Sequence, residues 1–236
     1  MRPPQPEPGS VHVWAAQLDD STMAVDSLAS LSETEQQRAA SFVFEKDARH
    51  YRAARVFQRQ VLAAYLDRAP EDLHFTTRAR GKPVLTNGAG IEFNVTDSGG
   101  FALMAVMHHA AVGIDVEVPR PFPDILNIAR NSFHPFEQQE IFAHPTLDAQ
   151  RQAFYRCWTR KEAYMKALGE GLYLDLGSFA VETGPTRRPA LRSCARGDKE
   201  TWTFVDIGEN HAIYAAICIE GQLNSIDLWH WRGVVT

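Results

Sequence analysis

The 236-residue chain has few cysteines, no long apolar run and little net charge, and each shortage excludes a class of protein. Cys157, Cys194 and Cys218 are scattered, odd in number and without metal-ligand spacing, which points to a reduced cytoplasmic setting and not to a disulfide scaffold. The longest tight apolar run, Phe101 to Met107, is far short of the roughly 20 residues a membrane helix needs. A formal charge of −5 argues against a dedicated nucleic-acid binder, and with 44% hydrophobic residues it is too small for a disordered chain. The opening MRPPQPEPG carries four prolines and no apolar segment, so residues 1–10 read as a disordered leader and not as a secretory signal. There is no G-x-x-x-x-G-K-[ST] loop and no G-x-G-x-x-G fingerprint, which disfavours a P-loop enzyme or a dinucleotide-binding dehydrogenase.

What is present is unevenly distributed. Arg38 to Lys82 holds ten Lys or Arg against five Asp or Glu, a local balance of +5, so the remainder carries −10. A basic window in an acidic protein suits a small polyanion such as a phosphate ester, and equally a solvated helix face. Ser32 and Glu35 form an S-x-x-E capping box that starts a helix. Ala54, Phe57, Val61, Leu62 and Tyr65 give a second helix, over about 47–66, an apolar stripe at spacings of three and four. A first strand is expected over 11–18, then a meander of strands over 91–95, 101–107 and 111–117. Pro119, Pro121 and Pro123 mark a boundary, after which helices over 124–132, 135–144 and 147–168 precede strands over 178–182, 201–207 and 212–219. Helices followed by strands, twice, predict an α+β protein of two similar lobes, 11–118 and 119–236.

Three short segments could carry chemistry. In Val112-Gly113-Ile114-Asp115-Val116-Glu117 the strand alternation puts Asp115 and Glu117 on one face, their Cα atoms about 7 Å apart, within reach of one divalent ion. Oxygen-only ligands suit Mg²⁺; an ordinary half-exposed strand reads the same way. In Trp158 to Gly169, Glu162 and Lys166 share a helix face at i, i+4, which can equally be a surface ion pair, and Gly169 is placed to end the helix. Phe93-Asn94-Val95-Thr96-Asp97-Ser98-Gly99-Gly100 offers hydroxyls and backbone N–H groups to a phosphate, or is a plain turn. The His108-His109 pair reads as a solvent-exposed turn, and the five tryptophans as packing and not as a base-stacking platform.

In order and spacing, FN-x-[ST]-x-S, then GIDVE, then W-x-x-K-E-x-x-x-K-x-x-G-x-G-L resembles the surfactin-type 4′-phosphopantetheinyl transferases. Gly81-Lys82-Pro83, Phe133-His134-Pro135-Phe136-Glu137 and the Arg38 to Ala48 region extend the resemblance over about residues 38–172. It implies a pseudo-dimer of two α+β lobes with the active site at their interface. The implied activity moves the 4′-phosphopantetheine arm of coenzyme A onto a serine of an acyl or peptidyl carrier protein, releasing adenosine 3′,5′-bisphosphate. By the same resemblance Asp115, Glu117 and Glu162 would hold Mg²⁺. Lys166 would reach the pyrophosphate, and Glu162 would be a metal ligand first and a base second. Arg38, Arg80, Gly81, Lys82, Asn94, Thr96 and Lys166 would contact coenzyme A, with Arg49 and Arg55 as further candidates.

One residue departs from the family pattern. Asp97 stands where a histidine is usual, and a carboxylate in a polyanion site demands a basic partner. The expected protein is a cytoplasmic monomer acting without membrane or nucleic acid. The alternatives are a non-catalytic binder of coenzyme A or carrier protein, and a Mg²⁺-dependent hydrolase of a nucleotide pyrophosphate.

Overall fold

The structure, a computed structural model, describes residues 3–18, 25–120, 125–194, 199–210 and 212–233. Met1 and Arg2 of the expected leader, and Pro121, Pro123 and Asp124 at the expected boundary, lie outside the described residues. The elements in order are β1 (Ser10–Gln17), α1 (Glu33–Ala40), α2 (Glu45–Leu66), β2 (Phe75–Thr77), β3 (Pro83–Leu85), β4 (Ile91–Ser98), β5 (Phe101–His108) and β6 (Val112–Glu117). There follow α3 (Ile125–Ser132), α4 (Pro135–Phe142), α5 (Leu147–Leu168), β7 (Ala180–Val181), β8 (Leu191–Ser193), β9 (Trp202–Asn210), β10 (Ile213–Glu220) and β11 (Ser225–His230).

Local chemistry sets the helix ends. The capping box forms: the Ser32 N–H donates to Glu35 Oε2 at 2.9 Å and the Glu35 N–H to Ser32 Oγ at 3.2 Å. In α5, Thr146 Oγ1 accepts from the Ala149 N–H at the start, and Gly169 takes φ of +72° at the end, which glycine adopts without penalty.

Two sheets form the middle of the molecule. One has the order β11-β1-β5-β4 and the other β6-β10-β9. Alternation along the strands builds four layers. Phe93, Trp14 and Met104 of the first sheet face Val56, Phe57 and Leu62 of α2. Val11, Val13 and Met107 on its other face pack against Val112, Ile114, Ile217 and Ile219 of the second sheet. The far side of β10, through Tyr214, Ala216 and Cys218, packs against α5.

Two sequence expectations are corrected. Residues 3–9 are not a disordered leader. Pro3 and Pro6 are buried, Gln5 Nε2 donates to the Tyr65 carbonyl at 2.8 Å, and the Asn224 N–H donates to the Gly9 carbonyl at 2.8 Å. Proline withholds an N–H but not its apolar ring or carbonyl, so a proline-rich segment can dock without joining a sheet. The meander also fails at β6, which pairs antiparallel with β10 instead of with β5. Both faces of β6 are covered, by the first sheet and by α5, which suits the middle of the molecule and not the end of a hairpin ladder. In turn β11 runs parallel to β1 in the first sheet, so one strand crosses each way over the expected 118/119 boundary.

Candidate active site

The two sheets meet where β4, the last strand of one, runs beside β6, the last strand of the other. Side chains from β4 at every second position bridge them. Asn94 Oδ1 accepts from the Ile114 N–H at 2.8 Å, Thr96 Oγ1 donates to Asp115 Oδ1 at 3.1 Å, and Ser98 Oγ donates to Glu117 Oε2 at 3.1 Å. Ser98 Oγ also accepts from the Val118 N–H. Edge strands leave backbone groups unpaired, and here polar side chains of the neighbouring edge satisfy them.

Helix α5 closes the other side. It lies so near β6 that a Cβ on Gly113 would stand 2.0 Å from the Ala163 carbonyl oxygen and 2.4 Å from the Ala167 nitrogen. Only glycine permits this approach, and the approach brings Glu162 and Lys166 over Asp115. Lys166 Nζ lies 2.5 Å from Asp115 Oδ1 and 3.1 Å from Thr96 Oγ1. Trp158, one turn before Glu162, donates its indole N–H to Glu117 Oε1 at 3.3 Å.

Just before Glu162, the same helix turns its other face into the core. Lys161 is fully buried and paired with Glu137 at 2.7 Å, and it donates to the Phe179 carbonyl. Arg160 pairs with Asp206 and donates to the carbonyls of Glu182, Gly184 and Thr186. These pairs anchor α5 and fix the rotation that aims Glu162 and Lys166 at β6.

The electrostatics are those of crowded carboxylates. Burial pushes the Asp115 carboxyl up despite the Lys166 ammonium beside it. Burial and then the Asp115 charge push Glu117 up. Glu162 is raised to about 7, by burial first and then by Asp115 and Glu117, against the pull of Lys166.

Among the described residues no three His, Cys, Asp or Glu side chains are close enough to cage a metal ion. The donors nevertheless suit magnesium. Among the described residues Asp115 Oδ2 is buried without a hydrogen-bond partner, and the Asp115 charge lies near enough to Glu117 and Glu162 to raise both. Magnesium keeps waters and takes only one or two protein carboxylates beside substrate phosphates, so a closed cage is not required.

An open cavity of about 1140 Å³ adjoins the site. One wall carries Lys46, Arg49 and His50 from α2 with Asp97 and Ser98 from β4, and another carries Ile125, Ile128, Tyr155 and Trp158. Glu117 joins the two.

The expected coenzyme A residues are not gathered in this cavity. Lys82 is buried, and its Nζ donates to the carbonyls of Val112 at 2.8 Å and Ala167 at 3.4 Å. It ties β6 to the end of α5, and burial lowers its pKa to about 8. Asn94 is likewise committed to the Ile114 N–H. Both side chains thus brace the site from within, meeting donors and acceptors that edge strands and a helix end leave over. Gly81 turns the β2–β3 hairpin with φ of +91°, and Arg80 pairs with Glu170 just beyond α5. Arg38 is exposed at the end of α1, over the Phe42 ring. Sequence reasoning quoted Ser98 and Trp158 in its motifs without pairing them with Glu117, and missed His50. The first two were findable at i+2 from Thr96 on one strand face and at i−4 from Glu162 on one helix face.

Comparison with known proteins agrees with this geometry. The family model of the 4′-phosphopantetheinyl transferase superfamily matches residues 111–218, which contain β6 and α5. The model described as 4′-phosphopantetheinyl transferase, N-terminal, matches residues 13–109. The chain is 32% identical over 226 residues to the 4′-phosphopantetheinyl transferase HetI of Nostoc sp., covering 94% of this chain and 92% of that one. It is 30% identical over 151 residues to Sfp of Bacillus subtilis, covering 64% and 66%. It is 27% identical over 207 residues to the L-aminoadipate-semialdehyde dehydrogenase-phosphopantetheinyl transferase of Homo sapiens, covering 80% and 67%. With β4 matched by one model, β6 and α5 by the other, and a relative aligned over almost its whole length, the chain belongs to the 4′-phosphopantetheinyl transferase superfamily.

Proposed function

We propose that this protein transfers the 4′-phosphopantetheine arm of coenzyme A to a serine of an acyl or peptidyl carrier protein, with its active centre between β6 and α5. The observation that carries the reading is the convergence of Asp115, Glu117 and Glu162 with Lys166 beside the cavity. Asp115, Glu117 and Glu162 would hold magnesium, which supplies neutralisation of the charge on the pyrophosphate oxygens. The serine oxygen forms the new bond to the phosphorus that bears the pantetheine arm, the bond from that phosphorus to the bridging oxygen breaks, and adenosine 3′,5′-bisphosphate leaves.

Lys166, already a donor to Asp115 and Thr96, is placed to donate to the departing phosphate. Glu162, a metal ligand first, takes the serine proton late in a loose transition state, where a weak base suffices. The exposed Arg38 and the Arg80–Gly81 turn are the proposed contacts of the nucleotide end. Cys157 and Cys218 are buried thiols, and no helix among the described residues is long and apolar enough to cross a membrane. The proposed protein is a monomer working in the cytoplasm.

Incubation with coenzyme A, Mg²⁺ and an apo carrier protein tests the reading. The carrier gains the mass of one phosphopantetheine arm, and a carrier of unchanged mass refutes the transfer. Coenzyme A cleavage without a mass gain would instead identify a pyrophosphate hydrolase.

A further inference from the structure

The cavity holds a carboxylate on the wall where a polyanion has to lie. Alternation along β4 sends Asn94, Thr96 and Ser98 toward β6, and Phe93, Val95 and Asp97 toward α2. Asp97 is the last of the second set, where the hydrophobic contact with α2 gives way to the cavity. There its Oδ2 meets Nε2 of His50, from the second turn of α2, at 2.7 Å. Both side chains stay accessible, 32% for His50 and 43% for Asp97. Lys46, Arg49 and Arg120 line the same cavity, as do Ser98 and Glu117.

An unpaired Asp97 would repel a phosphate even in water. Paired, it serves a different end. Asp97 accepts from Nε2 and so fixes the plane of the ring, while Nδ1 has no hydrogen-bond partner among the described residues. We propose that His50, in the imidazolium form that donation from both ring nitrogens requires, is a binding residue for the pyrophosphate of coenzyme A, donating from Nδ1, and that Asp97 is a positioning residue that acts through it. The pyrophosphate is the group in reach because His50 and Asp97 line the same cavity as Glu117, one of the carboxylates assigned to the phosphoryl site. The inference rests on the transferase reading and names two residues of that same site.

The test uses the full chain with coenzyme A, Mg²⁺ and apo carrier protein, and compares His50→Ala, His50→Gln, Asp97→Asn and the double variant His50→Ala/Asp97→Asn. Coenzyme A affinity is measured separately by calorimetry, and unfolding temperature checks the fold. His50→Ala raises KM for coenzyme A about tenfold with kcat within about twofold, as expected for one charge-assisted hydrogen bond. Asp97→Asn raises KM by a smaller factor, and the double variant matches His50→Ala because Asp97 has nothing left to position. The same factors hold for dephospho-coenzyme A.

Unchanged KM and affinity in both His50→Ala and His50→Gln overturn the proposal. Effects that multiply in the double variant overturn the positioning role of Asp97. A defect that disappears with dephospho-coenzyme A assigns the contact to the 3′-phosphate and overturns the pyrophosphate assignment. A wild-type protein that binds coenzyme A without transferring it, and loses affinity in His50→Ala, defeats the transferase reading and leaves this contact standing.

Discussion

Asp115 shows at the scale of a residue how a site is kept at the expense of stability. Its carboxyl is almost wholly buried, one oxygen is satisfied by Thr96 and Lys166, and the other has no hydrogen-bond partner. An amide removes the buried charge while keeping the shape, so Asp115→Asn abolishes transfer to the carrier and leaves the unfolding temperature at or above that of the wild type. A lowered unfolding temperature would show that the carboxylate is there for packing. Lys82 permits a test in pH. Its folded pKa is about 8 and its ordinary value 10.5. Between the two the unfolded chain holds a proton that the folded chain has released, so stability rises with pH across that window. Urea unfolding should therefore show wild type gaining on Lys82→Met from about pH 8 to pH 10, and a gap that narrows contradicts the buried position of the amine. Asp97 was legible as a departure that needed a basic partner, and the structure supplies His50. His50 itself was not legible, since 47 positions separate the pair and only the packing of α2 on β4 joins them.

Among the elements, α5 was legible from end to end and the small sheets were not. Thr146 at one end and Gly169 at the other are local signals, whereas β2, β3 and β8 have three residues each, too few to show an alternation, while β7 falls within the strand expected over 178–182. The sequence carries the alternation of Gly113, Asp115 and Glu117, but the reason for Gly113 lies in another element. It reads as an open face beside the carboxylates, and in the fold it is filled by the backbone of α5. Gly113→Ala must push α5 away from β6 or unfold the contact. It is expected to cost about 2–5 kcal/mol in denaturant unfolding and to lower transfer far more than substrate affinity. An alanine variant of wild-type stability would refute the close approach.

For the whole molecule, the mixed α+β character was legible from the order of helices and strands, and the crossing of β6 and β11 between sheets was not. Ile226 and Leu228 alternate as a strand should, yet nothing local says that their partner starts at Ser10. The crossing is held by large side chains. Trp229 stacks on Trp14 at 5.2 Å, and Trp231, 4% exposed, packs on Phe57 and donates to Gln60. Trp231→Ala is accordingly expected to destabilise the protein by about 3–5 kcal/mol although it lies far along the chain from every site residue, as measured by urea unfolding at fixed temperature. A loss below about 1 kcal/mol would mean that the segment after β11 is ornamental. The pairing of Ser10 with Ser225 also has a consequence in time. The two positions stand 215 apart, so β1 is made long before its parallel partner and that edge of the first sheet stays unpaired while the whole stretch between them is synthesised. Such long-range parallel pairing closes slowly and leaves a strand edge open to wrong partners in the meantime.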